Sequence, residues 1–146
     1  MPQFNLQQFT ADKATSVIYE SIAEFKIAEF YARQGKRING CLPNPATELS
    51  QKRLFDLTDS LGVRWEIKAD RKSSSTGRCF IEHQALSHSK SDYYLILAFG
   101  LAHVVPTPAL RHALIGTETV QGGDRLSATG TLLTQQQLQE LSVEII

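Results

Sequence analysis

The chain is poor in cysteine and carries no net charge. Cys41 and Cys79 are its two cysteines among 146 residues. Their number and spacing exclude a disulfide framework and the paired-cysteine pattern of a zinc site. Two thiols of this kind are expected to be reduced, which fits a cytoplasmic protein. Fifteen Lys and Arg balance fifteen Asp and Glu, so no overall basic excess draws the chain to a polyanion. No run approaches the ~20 apolar residues of a membrane span. Met1-Pro2-Gln3-Phe4-Asn5 lacks the basic-then-apolar order of a secretory signal. The four histidines, His83, His88, His103 and His112, show neither zinc-ligand spacing nor helical i, i+4 pairing, so packing or surface roles are expected of them. No internal repeat or linker divides the chain, and its length suits one domain spanning 1–146 with its own core.

What is present reads as a mixture of helices and strands. Ala11 to Gln34 is expected to be a helix, with Thr10 as its cap and Gly35 as its stop. Ile18, Ile22 and Phe25 recur at helical spacing, and Val17, Ala28 and Tyr31 widen that stripe. Residues 35–47, with glycines and prolines, read as a loop. Arg53 to Leu57 and Val63 to Ala69 are expected strands around the turn-like Asp59-Ser60-Leu61-Gly62. Arg71 to Thr76 reads as a polar loop, Cys79 to His83 as a third strand, and Tyr93 to Gly100 as a fourth buried on both faces. Thr107 with Pro108 opens a helix to about Leu114. Thr117 to Leu133 is ambiguous, and Thr134 with Gln137 resembles a capping box for a helix through Leu141. The expectation is a mixed α+β fold, with a central mixed sheet of four to five strands flanked by helices.

One stretch carries chemistry. Along Val63 to Ala69, Val63, Trp65 and Ile67 alternate with Arg64, Glu66 and Lys68, so Glu66 and Lys68 share one face. A Glu-x-Lys triplet alone is weak, arising by chance in about half of chains this long. Glu24-Phe25-Lys26 also matches, but on a helix residues two apart diverge by about 200° and cannot share a site. Asp56 lies ten positions before Glu66, and the intervening turn lets the two segments pair. Two carboxylates beside an ammonium suit a divalent cation and an attacking water, the chemistry of phosphodiester hydrolysis. Asp59 competes with Asp56 for the first acidic position, although its place beside Ser60 and Gly62 suits a turn. Arg64, Lys68, Arg71, Lys72 and Arg78 gather in sequence around this stretch, with Lys52 and Arg53 upstream. Such a patch can bind phosphate in a chain of zero net charge. Thr76 and Gly77 could offer a hydroxyl and a backbone N–H to the same phosphate, or simply form a tight turn.

Together, Asp56, Trp65-Glu66-Ile67-Lys68-Ala69-Asp70, Thr76-Gly77, Phe80-Ile81-Glu82 and Ser91-Asp92-Tyr93-Tyr94 resemble the PD-(D/E)XK, or restriction-endonuclease-like, nuclease superfamily. The likeness is to its phage and mobile-element branch of small endonucleases and Holliday-junction resolvases. It covers about Asp56 to Leu97, and Phe55 stands where the signature has proline. The resemblance implies that Asp56 and Glu66, with the backbone carbonyl of Ile67, hold Mg²⁺ or Mn²⁺, while Lys68 orients the water and offsets transition-state charge. It also implies a glutamate from the first helix. Glu24 is first choice, within Glu-x-x-Ile-Ala-x-x-Tyr-x-x-x-Gly, and Glu20 second. Glu82 could reach the cation through water, or pair with Arg64 across the sheet. Trp65 is expected in the core, as are Tyr93 and Tyr94 unless they form a subunit interface.

The resulting expectation is a cytoplasmic, Mg²⁺-dependent DNA endonuclease, homodimeric or larger, of a bacterium or phage-infected cell, and branch- or junction-directed in recombination. The rivals are a site-specific restriction- or homing-type enzyme, a non-catalytic nucleic-acid- or protein-binding module that keeps the fold, and an α+β protein with an accidental acidic cluster.

Overall fold

A computed structural model of the protein describes residues 13–44, 54–122 and 128–146. Helix α1 spans Lys13–Ala32, so Thr10 and Ala11 lie outside the described residues. It buries Ile22, Ala23, Ile27, Phe30 and Tyr31, a stripe at helical spacing. Gly35 closes it with φ 73°, and the Gly35 N–H bonds the Ala32 carbonyl at 3.0 Å, as a left-handed C-terminal glycine does.

The expected loop at 35–47 contains a short edge strand, β1 (Cys41–Pro43). Strands β2 (Leu57–Asp59) and β3 (Arg64–Ala69) form the expected antiparallel hairpin, with Leu57 opposite Trp65. Gly62, at φ 86°, closes the turn through its N–H to the Asp59 carbonyl at 3.0 Å. The first strand thus begins later than expected: Asp56 directly precedes it, and Arg53 and Lys52 lie outside the described residues.

The polar loop after β3 holds a one-turn helix, α2 (Ser73–Thr76), stopped by Gly77 at φ 72°. Strand β4 (Cys79–Glu82) departs from expectation by leaving the central sheet. It pairs with β8 (Ala128–Leu133), which also pairs β7 (Val120–Gly122), making a separate three-stranded sheet. Helix α3 (His83–His88) leads to β5 (Tyr93–Ala98), which runs parallel to β3 with Glu66 opposite Tyr94. Phe99 and Gly100, both at positive φ, turn the chain into β6 (Leu101–Pro106), antiparallel to β5.

Helix α4 (Thr107–Ala113) has Pro106, not Thr107, at its N-cap. Thr107 is fully buried, and its hydroxyl meets Ser91 Oγ at 3.0 Å instead of capping. Helix α5 (Gln135–Leu141) starts with the expected capping box of Thr134 and Gln137, and β9 (Glu144–Ile145) adds a last edge.

The fold is mixed α+β, and its central sheet has six strands, ordered β1-β2-β3-β5-β6-β9, one more than the upper expectation. Each face carries its own apolar cluster. On one, α1 packs against Leu57, Trp65, Leu95, Leu97 and Val104, with Ile67 and Ala69 beside them. On the other, Tyr94, Ile96 and Val105 meet Cys79, Ile81, Leu86, Leu110, Leu133 and Leu138 from the small sheet and helices. Period-2 alternation therefore gives β3 an α1 face and a second face bearing Arg64, Glu66 and Lys68.

Candidate functional site

Backbone pairing delivers Asp56 to the middle of β3. Its N–H bonds the Trp65 carbonyl at 2.9 Å, and its own carbonyl accepts the Asn44 N–H at 2.8 Å. Its carboxylate then accepts the Ile67 N–H at 2.7 Å. Within an extended strand a residue's N–H and C=O project to the same edge, so the Ile67 carbonyl is directed to the edge where Asp56 stands. The segment before Asp56 is held from two sides: the Lys90 N–H bonds the Leu54 carbonyl at 2.8 Å, and Asn44 Nδ2 bonds the Phe55 carbonyl at 2.8 Å.

Glu66 lies between Trp65 and Ile67 and therefore faces away from α1, towards Tyr94 on the adjacent strand. Burial pushes the Tyr94 phenol well above its ordinary range, and the charges of Glu66 and Asp56 push it the same way. Both carboxylates thus bear on one phenol. Lys68 shares the Glu66 face and is half-buried. It acts on Cys79 of β4, whose thiol is pushed up to about 12 by burial and by Asp70, with Lys68 opposing.

The neighbouring acids have other work. Asp59 is 4 % exposed and accepts the Tyr31 hydroxyl at 2.6 Å, Trp65 Nε1 at 2.8 Å and the Leu61 and Val63 N–H groups at 2.8 and 3.2 Å. It holds the hairpin turn against the core. Asp70 bonds the N–H groups of Lys72 at 3.1 Å and Phe80 at 3.0 Å, tying the end of β3 to β4. Glu82 ends β4 in the small sheet, and Arg64 stands 3.8 Å from Asp92, so of the two alternatives for Glu82 the pairing with Arg64 across one sheet does not form.

Glu24 departs from expectation. It is exposed and packs at Gly40, where a Cβ would stand 3.2 Å from its Oε1. Its charge, after burial, helps raise the Cys41 thiol to about 12. The buried stripe runs through Ile22, Ala23 and Ile27, and a residue 100° beyond Ala23 leaves it. Glu24 therefore sits beside β1, whereas Glu66 faces away from α1. One turn earlier, Tyr19 feels the Arg71 guanidinium, which puts the half-buried Glu20 on the part of α1 beside the end of β3.

The basic residues divide between the two ends of β3. Arg64, at its start, lies over the Phe55 ring at 5.7 Å. Arg71, Lys72 and Arg78 follow its end, about 16 Å away at the strand rise. Lys72 and Arg78 are exposed. The Thr76 hydroxyl donates to the Arg78 carbonyl at 3.1 Å and accepts its N–H at 3.2 Å, so it stabilises its own turn.

Sequence reasoning missed a hydroxyl cluster where the chain enters β5. Ser89 Oγ lies 2.7 Å from Ser91 Oγ, and Ser91 Oγ lies 3.0 Å from Thr107 Oγ1. Arg111 donates to the Leu86 carbonyl at 3.1 Å and also to the Ser89 carbonyl. These residues come from separate segments, so no local motif announces them.

Were a cation held here, its oxygen donors would be the Asp56 and Glu66 carboxylates and the Ile67 carbonyl. Among the described residues no group of three or more His, Cys, Asp or Glu converges. Two carboxylates and a carbonyl fit a hard ion that keeps several of its waters, as Mg²⁺ does. Among the described residues no helix is long and apolar enough to cross a membrane. No family model matches the chain, and no curated protein matches its sequence.

Proposed function

We propose that this chain is a divalent-cation-dependent DNA endonuclease related to the PD-(D/E)XK superfamily. The observation that supports it most is the Asp56 carboxylate on the Ile67 N–H at 2.7 Å. That bond places an acid against the Glu66-Ile67-Lys68 triplet, in the order of the superfamily's signature. Mg²⁺ or Mn²⁺ held by Asp56, Glu66 and the Ile67 carbonyl would lower the pKa of a bound water and polarise the scissile phosphate.

Lys68, on the Glu66 face, orients the attacking water and offsets charge on the pentavalent phosphorus. Arg71, Lys72 and Arg78 contact phosphates on one side of the acids, and Arg64 extends that track on the other. The branch of the superfamily that the residues resemble includes small DNA-junction resolvases, which makes branched DNA the substrate of choice. Cutting both strands of a duplex calls for a homodimer or larger assembly. The free cysteines fit a bacterial or phage-infected cytoplasm.

Labelled four-way junction and matched linear duplex, incubated with Mg²⁺ or EDTA beside Glu66→Ala and Lys68→Ala, test the reading. Mg²⁺-dependent nicking lost in both variants is the expected result. Cleavage that survives either substitution overturns the mechanism, and equal cutting of linear duplex would point to the restriction- or homing-type alternative. The exposed Glu24, turned to Gly40, favours a second reading, a binding module that keeps the fold. A shifted band without cleavage, equal in parent and Glu66→Ala, would establish that reading.

A further inference from the structure

We infer that the cavity between α4, β8 and α5 is a binding site for a small organic cation, an ammonium or guanidinium carried on a compact apolar body. The cavity has a volume of about 410 Å³, a size typical of small-molecule sites. Ala113, Leu133 and Leu141 give it apolar surface. None of its lining residues belongs to the acid site described above, so the inference stands independently of the nuclease reading.

The charge of the ligand follows from where the protons of the lining already go. The Thr117 hydroxyl donates to the Leu114 carbonyl at 2.8 Å, and a carbonyl can only accept. Thr131 Oγ1 lies 2.8 Å from Thr117 Oγ1, so Thr131 gives its proton to Thr117. His83 Nε2, 2.7 Å from Thr131 Oγ1, is then the donor in that contact. Both hydroxyl protons are spent within the protein, and only oxygen lone pairs remain for a ligand. Gln137, whose Oε1 holds the Thr134 N–H at 2.8 Å, keeps its amide N–H groups. Among the described residues these are the lining's remaining side-chain donors.

Acceptors, by contrast, are plentiful. Glu118, in the turn after α4, and Glu140, on α5, both line the cavity. Both are exposed, and neither pairs with a Lys, Arg or His among the described residues. Glu140 accepts the Gln136 amide at 3.3 Å through Oε1 and keeps Oε2. Two carboxylates and two hydroxyl oxygens beside apolar surface disfavour a carboxylate or phosphate and suit a cation that donates several hydrogen bonds. The walls are set before any ligand arrives. The Thr117–Thr131 bond ties the turn to β8, and the capping box fixes the start of α5. Little ordering is therefore left for a ligand to impose.

Titration of the full chain with phenethylammonium, followed by NMR, tests this, with phenylacetate and phenethyl alcohol as anionic and neutral counterparts of similar size. The ammonium alone is expected to bind saturably and to shift the amide signals of Thr117, Thr131 and Leu141. Glu118→Gln and Glu140→Gln, at exposed positions, should keep the parent Tm and each weaken binding about 10-fold, whereas Glu66→Gln should leave it unchanged. Equal binding of phenylacetate or phenethyl alcohol would reduce the cavity to an apolar fit and overturn the inference. So would undiminished affinity in both glutamine variants, or the absence of saturable binding. Affinity lost in Glu66→Gln would move the cation to the acid pair and equally overturn it. Binding of acetyl-Leu-Lys-Leu-amide without binding of the free amine would assign the cavity to a lysine of a partner protein instead.

Discussion

The Tyr31 hydroxyl donates to the Asp59 carboxylate across 2.6 Å, linking residues 28 positions apart. The same carboxylate receives Trp65 Nε1 at 2.8 Å, so one buried acid satisfies the polar atoms of two core aromatics and closes the β2–β3 turn.

Asp59 and Asp56, three residues apart, are therefore expected to fail differently. Asp59→Ala strands buried donors that water cannot reach and should cost at least about 3 kcal/mol. Asp56→Asn, at a half-exposed position, should cost no more than about 1 kcal/mol and abolish Mg²⁺-dependent cleavage. Urea denaturation beside the junction assay separates the two. An active Asp56→Asn, or an Asp59→Ala as stable as the parent, contradicts the assignment.

His103 makes acid a destabilising condition. It is fully buried, and its Nδ1 lies 3.1 Å from the Ile96 carbonyl oxygen, an acceptor, so Nδ1 carries the proton of a neutral ring. Nε2 meets no hydrogen-bond partner among the described residues. Burial lowers the folded pKa, with the Ile96 carbonyl opposing. Below the unfolded value of about 6.5, the unfolded chain takes up a proton that the folded chain refuses. Stability should then fall with pH by up to about 1.4 kcal/mol per unit until the folded ring titrates. His103→Leu should flatten that slope between pH 7 and 5. Urea midpoints that depend on pH equally in both proteins would exclude His103 as the cause.

The small sheet is built around one ring. A Cβ at Gly122 would stand 2.6 Å from Phe80 Cε2, while one at Gly130 would meet both Phe80 and the Ile81 carbonyl oxygen. Gly122→Ala and Gly130→Ala should each cost about 1–3 kcal/mol through overpacking. In a Phe80→Ala background the Gly122 penalty should vanish and the Gly130 penalty persist, because only the side-chain clash is relieved. Thermal denaturation of the double variants reads this coupling, and additive losses at Gly122 would show that the ring does not fill the space above it.

Features governed by local chemistry were legible in the chain. The capping box at Thr134 and Gln137 depends on residues three apart, and the Gly62 turn on a positive φ that glycine adopts freely. Trp65 at the core followed from strand alternation. Other assignments needed distant partners. Cys79 to Glu82 has the pattern of a strand, but that pattern does not say which sheet receives it, and its partner, Ala128–Leu133, lies nearly fifty residues on. Thr107 with Pro108 resembled a cap, yet the buried Ser91 hydroxyl claims Thr107. Glu24 sat among apolar residues, but the face that α1 buries is set by the sheet beneath it.

The sequence by itself determined the β2–β3 hairpin, the shared face of Glu66 and Lys68 and the mixed α+β class, because turn chemistry and side-chain period act over a few residues. Only the tertiary structure decided that Asp59 serves the core and Asp56 meets Ile67, that Glu24 turns to Gly40, and that the Ser91 hydroxyl claims Thr107. Each of those outcomes depends on which buried group finds a hydrogen-bond partner, and the partners come from other parts of the chain.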